Sequence, residues 1–183
     1  MPPFSVRFRA LCGWLVVLGL AGMVRGQSVP SGGVRLIAPA DLAVQGNFWQ
    51  GSTTGGAVAS RAIVPVTGQT FTQAARVSVV RPTGDFWASA ISAPSTQALE
   101  QGDVVLIHLF IRAIETQDET GSVFMQVYAE GPAPAYSKSL SQQISAGLEW
   151  REYFLPFAMA GGFPAGQFTF NLGFGASSRP QVI

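Results

Sequence analysis

The chain has 183 residues and a formal net charge of +1, and 11% of its residues are charged while 48% are hydrophobic. This composition suits one core-forming domain and excludes both a disordered chain and a basic nucleic-acid-binding surface. One cysteine and one histidine exclude a zinc finger and a disulfide scaffold.

Residues 1–26 have the pattern of a secretory signal peptide. Arg7 and Arg9 form a basic start, and an uncharged apolar run follows over 10–24. Small residues precede the predicted cleavage point, so the mature chain would begin at Gln27. The run is shorter than the roughly 20 residues that span a bilayer, which argues against the alternative of a membrane anchor. We therefore expect a secreted protein, extracellular or periplasmic, with no membrane contact after cleavage.

The mature chain is predicted to be all-β. We expect a polar linker over 27–33 and a Gly- and Thr-rich loop over 47–59. Short β-branched and aromatic runs alternate with Gly, Pro and Asp turn signals, and no window shows helical periodicity. The predicted strands cover 34–38, 61–66, 71–80, 86–92, 103–113, 122–130, 148–157 and 167–174. Short strands at this spacing predict an antiparallel β-sandwich or barrel.

Alternation along these strands separates an apolar face from a polar one. The strand over 103–113 places His108 and Arg112 opposite its aliphatic side chains, with Phe110 between them. Aromatic planes stack on sugar rings, and amide and guanidinium groups pair with sugar hydroxyls, so such a face suits a glycan. The side chains predicted to share this face are Trp87, His108, Arg112, Gln126 and Asn171. The alternatives are a histidine bonded within the protein and a structural Arg112 bonded to loop carbonyls.

The sequence carries no catalytic motif. There is no G-x-S-x-G elbow, and Cys12 leaves with the signal peptide, which excludes thiol catalysis. Glu149 and Glu152 are predicted to point to opposite faces of one strand, so they do not form the carboxylate pair of a glycosidase. The Gly-rich segment 51–56 lacks the lysine and helix of a P-loop. We expect no catalytic residue and no cofactor, although a structural Ca²⁺ held by carboxylates and carbonyls stays open.

Three stretches carry a family resemblance. They are LEQGDVVLIHLFIR over 99–112, GLEWREYFLPF over 147–157, and PAGQFTFNLG over 164–173 followed by PQVI over 180–183. The first has Gly-Asp before a strand that ends in aromatic-x-Arg, and the second has Glu-Trp followed by Pro-Phe. Together they resemble the carbohydrate-binding modules of secreted cellulases and xylanases, of the family 4 and 9 type.

The resemblance covers 34–183 and implies a jelly-roll β-sandwich, similar to a galactose-binding domain. Such modules bind polysaccharide or oligosaccharide on a concave sheet face or at loop tips, have no catalysis of their own, and accompany a glycoside hydrolase or polysaccharide lyase. Arg112 and Gln181 fall on matched motif positions and become candidate binding residues. The closing strand of such modules continues past Ile183, so we expect a fragment truncated at its C-terminus. The alternative is a natural end with a short final strand.

Two other classes of function stay open at this point. One is a catalytic hydrolase or lyase unit on a jelly-roll scaffold, and the other is a structural or adhesive surface module. The absence of an acid pair argues against a catalytic unit. The predicted face of aromatic, amide and guanidinium side chains argues against a purely structural module, although a fold alone does not fix a function. We expect a monomer that binds a glycan and no nucleic acid.

Overall fold

A computed structural model of the chain describes residues 32–38, 41–51 and 58–183. The predicted signal peptide and most of the predicted linker lie outside the described residues. In chain order the elements are α1 (Leu42–Gln45), β1 (Asn47–Gln50), β2 (Ala59–Pro65), β3 (Gln73–Val79), a 3₁₀ turn (Phe86–Ala88), β4 (Ser89–Pro94), β5 (Val104–Ile111), β6 (Glu115–Thr116), β7 (Val123–Glu130), β8 (Lys138–Ala146), β9 (Arg151–Ala158), β10 (Thr169–Gly173) and β11 (Gln181–Val182). The prediction of an all-β chain is confirmed.

The strands pair antiparallel throughout and form a sandwich. One layer is a five-stranded sheet in the order β1-β4-β10-β7-β8. The other layer consists of a four-stranded sheet, β2-β3-β11-β6, and the pair β5-β9. Strand β6 follows β5 after a few residues, so one segment of the chain contributes a strand to each of these two sheets. Among the described residues no helix is long and apolar enough to cross a membrane.

Two predicted segments differ from the structure near the start of the described chain. The segment 34–38 contributes only the isolated bridge between Ile37 and Ser95, rather than a strand. The segment 47–59 is not wholly a loop, because β1 pairs with β4 and Phe48 packs against the core. One helical turn, α1, also forms, with Asp41 accepting from the Val44 N–H at its start.

Strand β8 was absent from the sequence-based prediction. Its residues KSLSQQISA are mostly polar, and only Leu140, Ile144 and Ala146 face the core. It lies at the edge of the five-stranded sheet, where one backbone edge and one face remain exposed. A strand that buries so few side chains gives a weak apolar alternation, which explains why the sequence-based prediction placed no strand there.

The core depends on β10 and the residues beside it. Phe168 and Phe170 belong to one buried cluster, and Leu172 and Phe174 belong to the other. All four side chains are at most 6% exposed. The predicted apolar face over 167–174 is therefore confirmed, and it fixes which residues of β10 face outward.

Gln181 links the two layers of the sandwich. Its Oε1 accepts the Phe124 N–H at 2.9 Å, and its Nε2 donates to the Phe124 carbonyl at 2.7 Å. Phe124 lies on β7 beyond the end of the β10 ladder, so the side chain completes hydrogen bonding that the strand does not supply. Gln181 is 3% exposed. This corrects its prediction as a glycan ligand, because its amide is buried and engaged by the protein backbone.

Replacing Gln181 with leucine should lower the free energy of unfolding by about 1–3 kcal/mol. The reason is that the N–H and carbonyl of Phe124, a half-buried residue, would lose their hydrogen-bond partners. Urea denaturation of the Gln181→Leu chain measures this. Gln167→Leu is the matched control, since Gln167 is exposed and its replacement should change stability by less than about 0.5 kcal/mol. Equal stability of the two variants would contradict the structural role of Gln181.

Candidate functional site

The outer face of the five-stranded sheet carries a row of amide and hydroxyl side chains. On β7, Gln126 lies opposite Gly173 of β10 on one side and opposite Gln143 of β8 on the other. The Gln126 Nε2 donates to Ser141 Oγ at 3.0 Å, which orients the amide. We call the surface formed by Gln126, Ser141 and Gln143, together with Trp87 on the turn that covers Gly173, the polar face.

Trp87 reaches the polar face because a backbone turn folds over β10. A Cβ at Gly173 would lie 2.5 Å from the Phe86 carbonyl oxygen, so only glycine allows the 3₁₀ turn to approach this closely. The Phe86 ring packs edge-on against Tyr128 at 4.9 Å and against Trp87 at 4.8 Å. Trp87 itself is 51% exposed. The turn thus presents an indole to solvent at the Gly173 end of the polar face.

The buried Tyr128 and the ion pair between Lys138 and Glu130 support the 3₁₀ turn through Phe86. Burial raises the pKa of Tyr128 well above its usual value, and the negative charge of Glu130 raises it further. The Tyr128 hydroxyl therefore stays protonated under ordinary conditions. The Lys138 ammonium pairs with Glu130 at 2.9 Å and lies 5.8 Å from the Phe86 ring centre. These contacts hold Phe86 in place, and Phe86 in turn positions Trp87.

Asn171 belongs to the same sheet face but is not accessible. It lies directly opposite Tyr128 on β7 and Ser92 on β4. Its side chain is 4% exposed, and its Nδ2 donates to the Thr169 carbonyl at 3.1 Å. The prediction that Asn171 shares a face with Gln126 is confirmed in position, whereas its amide is used within β10.

His108 and Arg112 lie in the other layer of the sandwich. His108 stacks on Phe154 of β9 at 4.4 Å, and its Nε2 is 2.8 Å from Glu152 Oε1. A chain of ring contacts continues outward from this pair. It joins His108, Phe110, Phe71 and Trp150, each ring centre 5.1 Å from the next. Arg112 lies over Trp150 at 5.0 Å. We call these side chains, with Phe154, the aromatic row.

The expectation that Trp87, His108, Arg112 and Gln126 line one surface is therefore wrong. Alternation placed Gln126 and His108 correctly on the outward faces of their strands, since the neighbours of each along its strand pack in the core. Trp87 instead lies in the 3₁₀ turn before β4, and Arg112 follows the end of β5. Alternation could not show that β5 and β7 belong to different layers, so two outward faces were merged into one. The alternative of an Arg112 bonded to loop carbonyls is not what the structure shows either, because Arg112 is exposed and its guanidinium packs on the half-buried Trp150 ring.

Sequence reasoning missed two features of the polar face. Gln143 and Ser141 escaped notice because β8 was not predicted as a strand. The role of Gly173 was also missed, although a glycine within a strand often marks a close backbone approach. Within the described ranges, no group of three or more His, Cys, Asp or Glu side chains comes together as a metal site.

The comparisons with known proteins give similarity in structure alone. No protein-family model matches the chain, and no curated protein matches it. An arabinose-bound α-L-arabinofuranosidase, MgGH51, has a TM-score of 0.51 at 16% identity and covers 81% of this chain, which spans 23% of that enzyme. This match supports a shared β-sandwich fold, and the chain corresponds to a minor part of the larger protein.

Two smaller proteins also align with the chain. A CBM4 module has a TM-score of 0.49 at 11% identity, with 74% of this chain and 79% of that chain covered. A family 11 carbohydrate-binding module from Clostridium thermocellum, in complex with a β-1,3-1,4-mixed-linked tetrasaccharide, has a TM-score of 0.39 at 13% identity, with 74% and 83% covered.

Adding a methyl group at Gly173 should displace the turn that carries Trp87. We expect Gly173→Ala to lower the free energy of unfolding by about 1–3 kcal/mol, because the new Cβ overlaps backbone rather than a flexible side chain. Gly147→Ala is the matched control, since nothing lies within 4 Å of a Cβ there. Thermal denaturation compares the two. An unchanged stability and Trp87 environment in Gly173→Ala would refute the close packing of the turn.

Proposed function

We propose that the chain is a non-catalytic carbohydrate-binding module that holds a polysaccharide or oligosaccharide on the polar face. The observation that carries this proposal is an exposed indole on the turn that covers Gly173, which is the register partner of Gln126 on the sheet face that holds the glutamine pair. Trp87 offers a flat apolar surface for a sugar ring, while Gln126 and Gln143 offer amide donors and acceptors for its hydroxyls. An open sheet face suits an extended chain of sugars better than a small enclosed ligand.

The aromatic row is a weaker candidate for the same function. His108, Phe110 and Phe154 pack against one another, and the one polar pair among them, His108 with Glu152, is satisfied internally. The pairing of His108 with Glu152 leaves the Arg112 guanidinium as the exposed hydrogen-bonding group of this row. A guanidinium offers donors alone, whereas the two glutamine amides of the polar face offer both donors and acceptors to sugar hydroxyls.

The described residues give no support for a hydrolase. The one side chain among them that is hydrogen-bonded to His108 is Glu152, and no hydroxyl nucleophile contacts that histidine. Glu149 precedes β9, whereas Glu152 lies within it. The two residues are close in sequence and do not come from opposite walls of a cleft. The proposal therefore assigns binding to this chain and assigns any chemistry to a glycoside hydrolase or lyase unit that it accompanies.

Sequence motifs and one structural neighbour support a module of a particular type. The motifs over 99–112, 147–157 and 164–173 resemble carbohydrate-binding modules of the family 4 and 9 type, and the arabinofuranosidase with the matching fold was solved with arabinose bound. The signal-peptide pattern over 1–26 supports export, where polysaccharide substrates are found. We propose that the mature protein acts outside the cytoplasm in glycan degradation.

Affinity electrophoresis of the mature chain in gels containing xylan, β-glucan, mannan or pectin tests this function. We expect at least one polysaccharide to retard the protein. Trp87→Ala should weaken that binding about tenfold or more, the typical effect of losing an aromatic anchor. Gln126→Ala should weaken it by a few-fold, the value of one neutral hydrogen bond.

The aromatic row supplies the controls for this experiment. His108→Ala and Arg112→Ala remove side chains from the other layer and should leave the affinity unchanged. Full retention of binding by Trp87→Ala, together with loss in His108→Ala, would move the site to the aromatic row. No retardation by any of the polysaccharides would count against a carbohydrate-binding function.

A further inference from the structure

Strand β1 carries a second tryptophan on the side of the sheet that bears the polar face. Phe48 packs against the core. Because side chains alternate along a strand, Trp49 faces outward. The residue is half-buried, so part of its side chain stays accessible. The outer side of the five-stranded sheet therefore holds an indole that belongs to neither the core nor the polar face.

The strand registers place Trp49 in line with the two glutamines of the polar face. Trp49 lies opposite Ala90 of β4, and Ala90 lies opposite Gly173 of β10. Gly173 lies opposite Gln126 of β7, which lies opposite Gln143 of β8. Directly opposed residues point to the same side of a sheet. At about 4.8 Å between strands, the line from Trp49 to Gln143 spans roughly 19 Å across all five strands.

The 3₁₀ turn forms the surface in the middle of this line. Ala90 is 0% exposed and Gly173 is buried, so neither reaches solvent. The Phe86 carbonyl oxygen lies 2.5 Å from where a Cβ of Gly173 would be. The accessible side chain at this point is Trp87, which the turn carries. Seen from outside, the line therefore runs from one indole to a second indole and then to the two glutamine amides.

The Trp49 ring lies at the same end of the sheet as the turn. The Ala88 carbonyl, at the end of the turn, accepts the Gly51 N–H at 3.0 Å. A Cβ built on Gly51 would lie 3.5 Å from the Trp49 ring and 3.7 Å from that carbonyl oxygen. The ring is thus close to the residue that directly follows Trp87 in the chain. Because residue 51 is a glycine, no side chain from this position covers the ring.

Buried side chains close the path along the strands. On the neighbouring register line, Asn171 lies opposite Tyr128, and both are at most 4% exposed. The Phe86 ring packs on Tyr128, and one line further Lys138 pairs with Glu130. These groups are engaged within the protein and offer a ligand little contact. A glycan held by the two glutamines therefore finds its next free contacts across the strands rather than along them.

On the basis of the proposed function, we propose that Trp49 is a second stacking platform and that the glycan crosses the strands from Trp49, past Trp87, to Gln143. Two indoles give apolar surfaces for two sugar rings, and the glutamine amides bond the hydroxyls of the rings beyond them. The length of the line requires an oligosaccharide of several units. A short chain reaches only part of it, so affinity should rise with chain length until the line is filled.

The dependence of binding on chain length tests this platform. The probes are xylo-, cello-, manno- and galacturono-oligosaccharides of three and six units, and titration calorimetry measures their affinities for the mature chain. We expect Trp49→Ala to weaken binding of the six-unit chain about tenfold or more, as removal of an aromatic anchor typically does. The three-unit chain should lose less than about twofold, because it can lie between Trp87 and Gln143. Loss of packing around Trp49 would instead weaken both lengths equally.

Three further variants complete the experiment. Gly51→Leu keeps Trp49 but lays a side chain against its ring, so it should weaken binding of the six-unit chain alone. Trp150→Ala removes another half-buried indole, from the other layer, and should leave both affinities unchanged. Trp87→Ala should weaken binding of both lengths.

The outcomes separate the Trp49 platform from the proposed function. Equal weakening of both lengths by Trp49→Ala, or full six-unit affinity in Trp49→Ala and Gly51→Leu, would overturn the platform, while dependence on Trp87 would still support the polar face. Absence of binding by the unaltered chain to every probe would overturn the proposed function, and the platform with it.

Discussion

Burial of the aromatic inner face of β10 is the constraint on which the structure depends. Phe168 and Phe170 enter one core cluster and Leu172 enters the other, so this central strand cannot rotate or slip without exposing both. The same burial forces Asn171 and Gly173 outward. Because Gly173 has no side chain, the turn that carries Trp87 can lie directly over it. Gly173 pairs in register with Gln126 of β7. The position of the polar face is thus a consequence of core packing.

The two layers differ in how completely they are built. The five-stranded layer has a continuous ladder, and where β10 stops short, the Gln181 amide takes over the pairing of Phe124. The other layer divides into two sheets, and a cavity of about 230 Å³ is lined by residues of both. A polar surface supported by a complete sheet can present side chains in fixed positions, which preorganises a binding site and lowers the entropy cost of binding.

Alternation in the sequence predicted the fold class and the inward faces of β5, β7 and β10, because long apolar runs bury one face wherever the strand lies. It did not predict β8, whose polar edge residues give little periodicity. It also could not assign strands to layers, so His108 was grouped with Gln126 although they lie on different sheets. Gln181 was chosen from a motif position, and only the tertiary structure shows that its amide pairs with Phe124.

An NMR titration with an oligosaccharide from whichever polysaccharide retards the protein tests the central claim most directly. Side-chain amide signals of Gln126 and Gln143 and the indole N–H signal of Trp87 report on the polar face, and the indole of Trp150 reports on the aromatic row. The account predicts saturable shifts in the first three signals and none in Trp150. Shifts confined to Trp150 and His108 would contradict it.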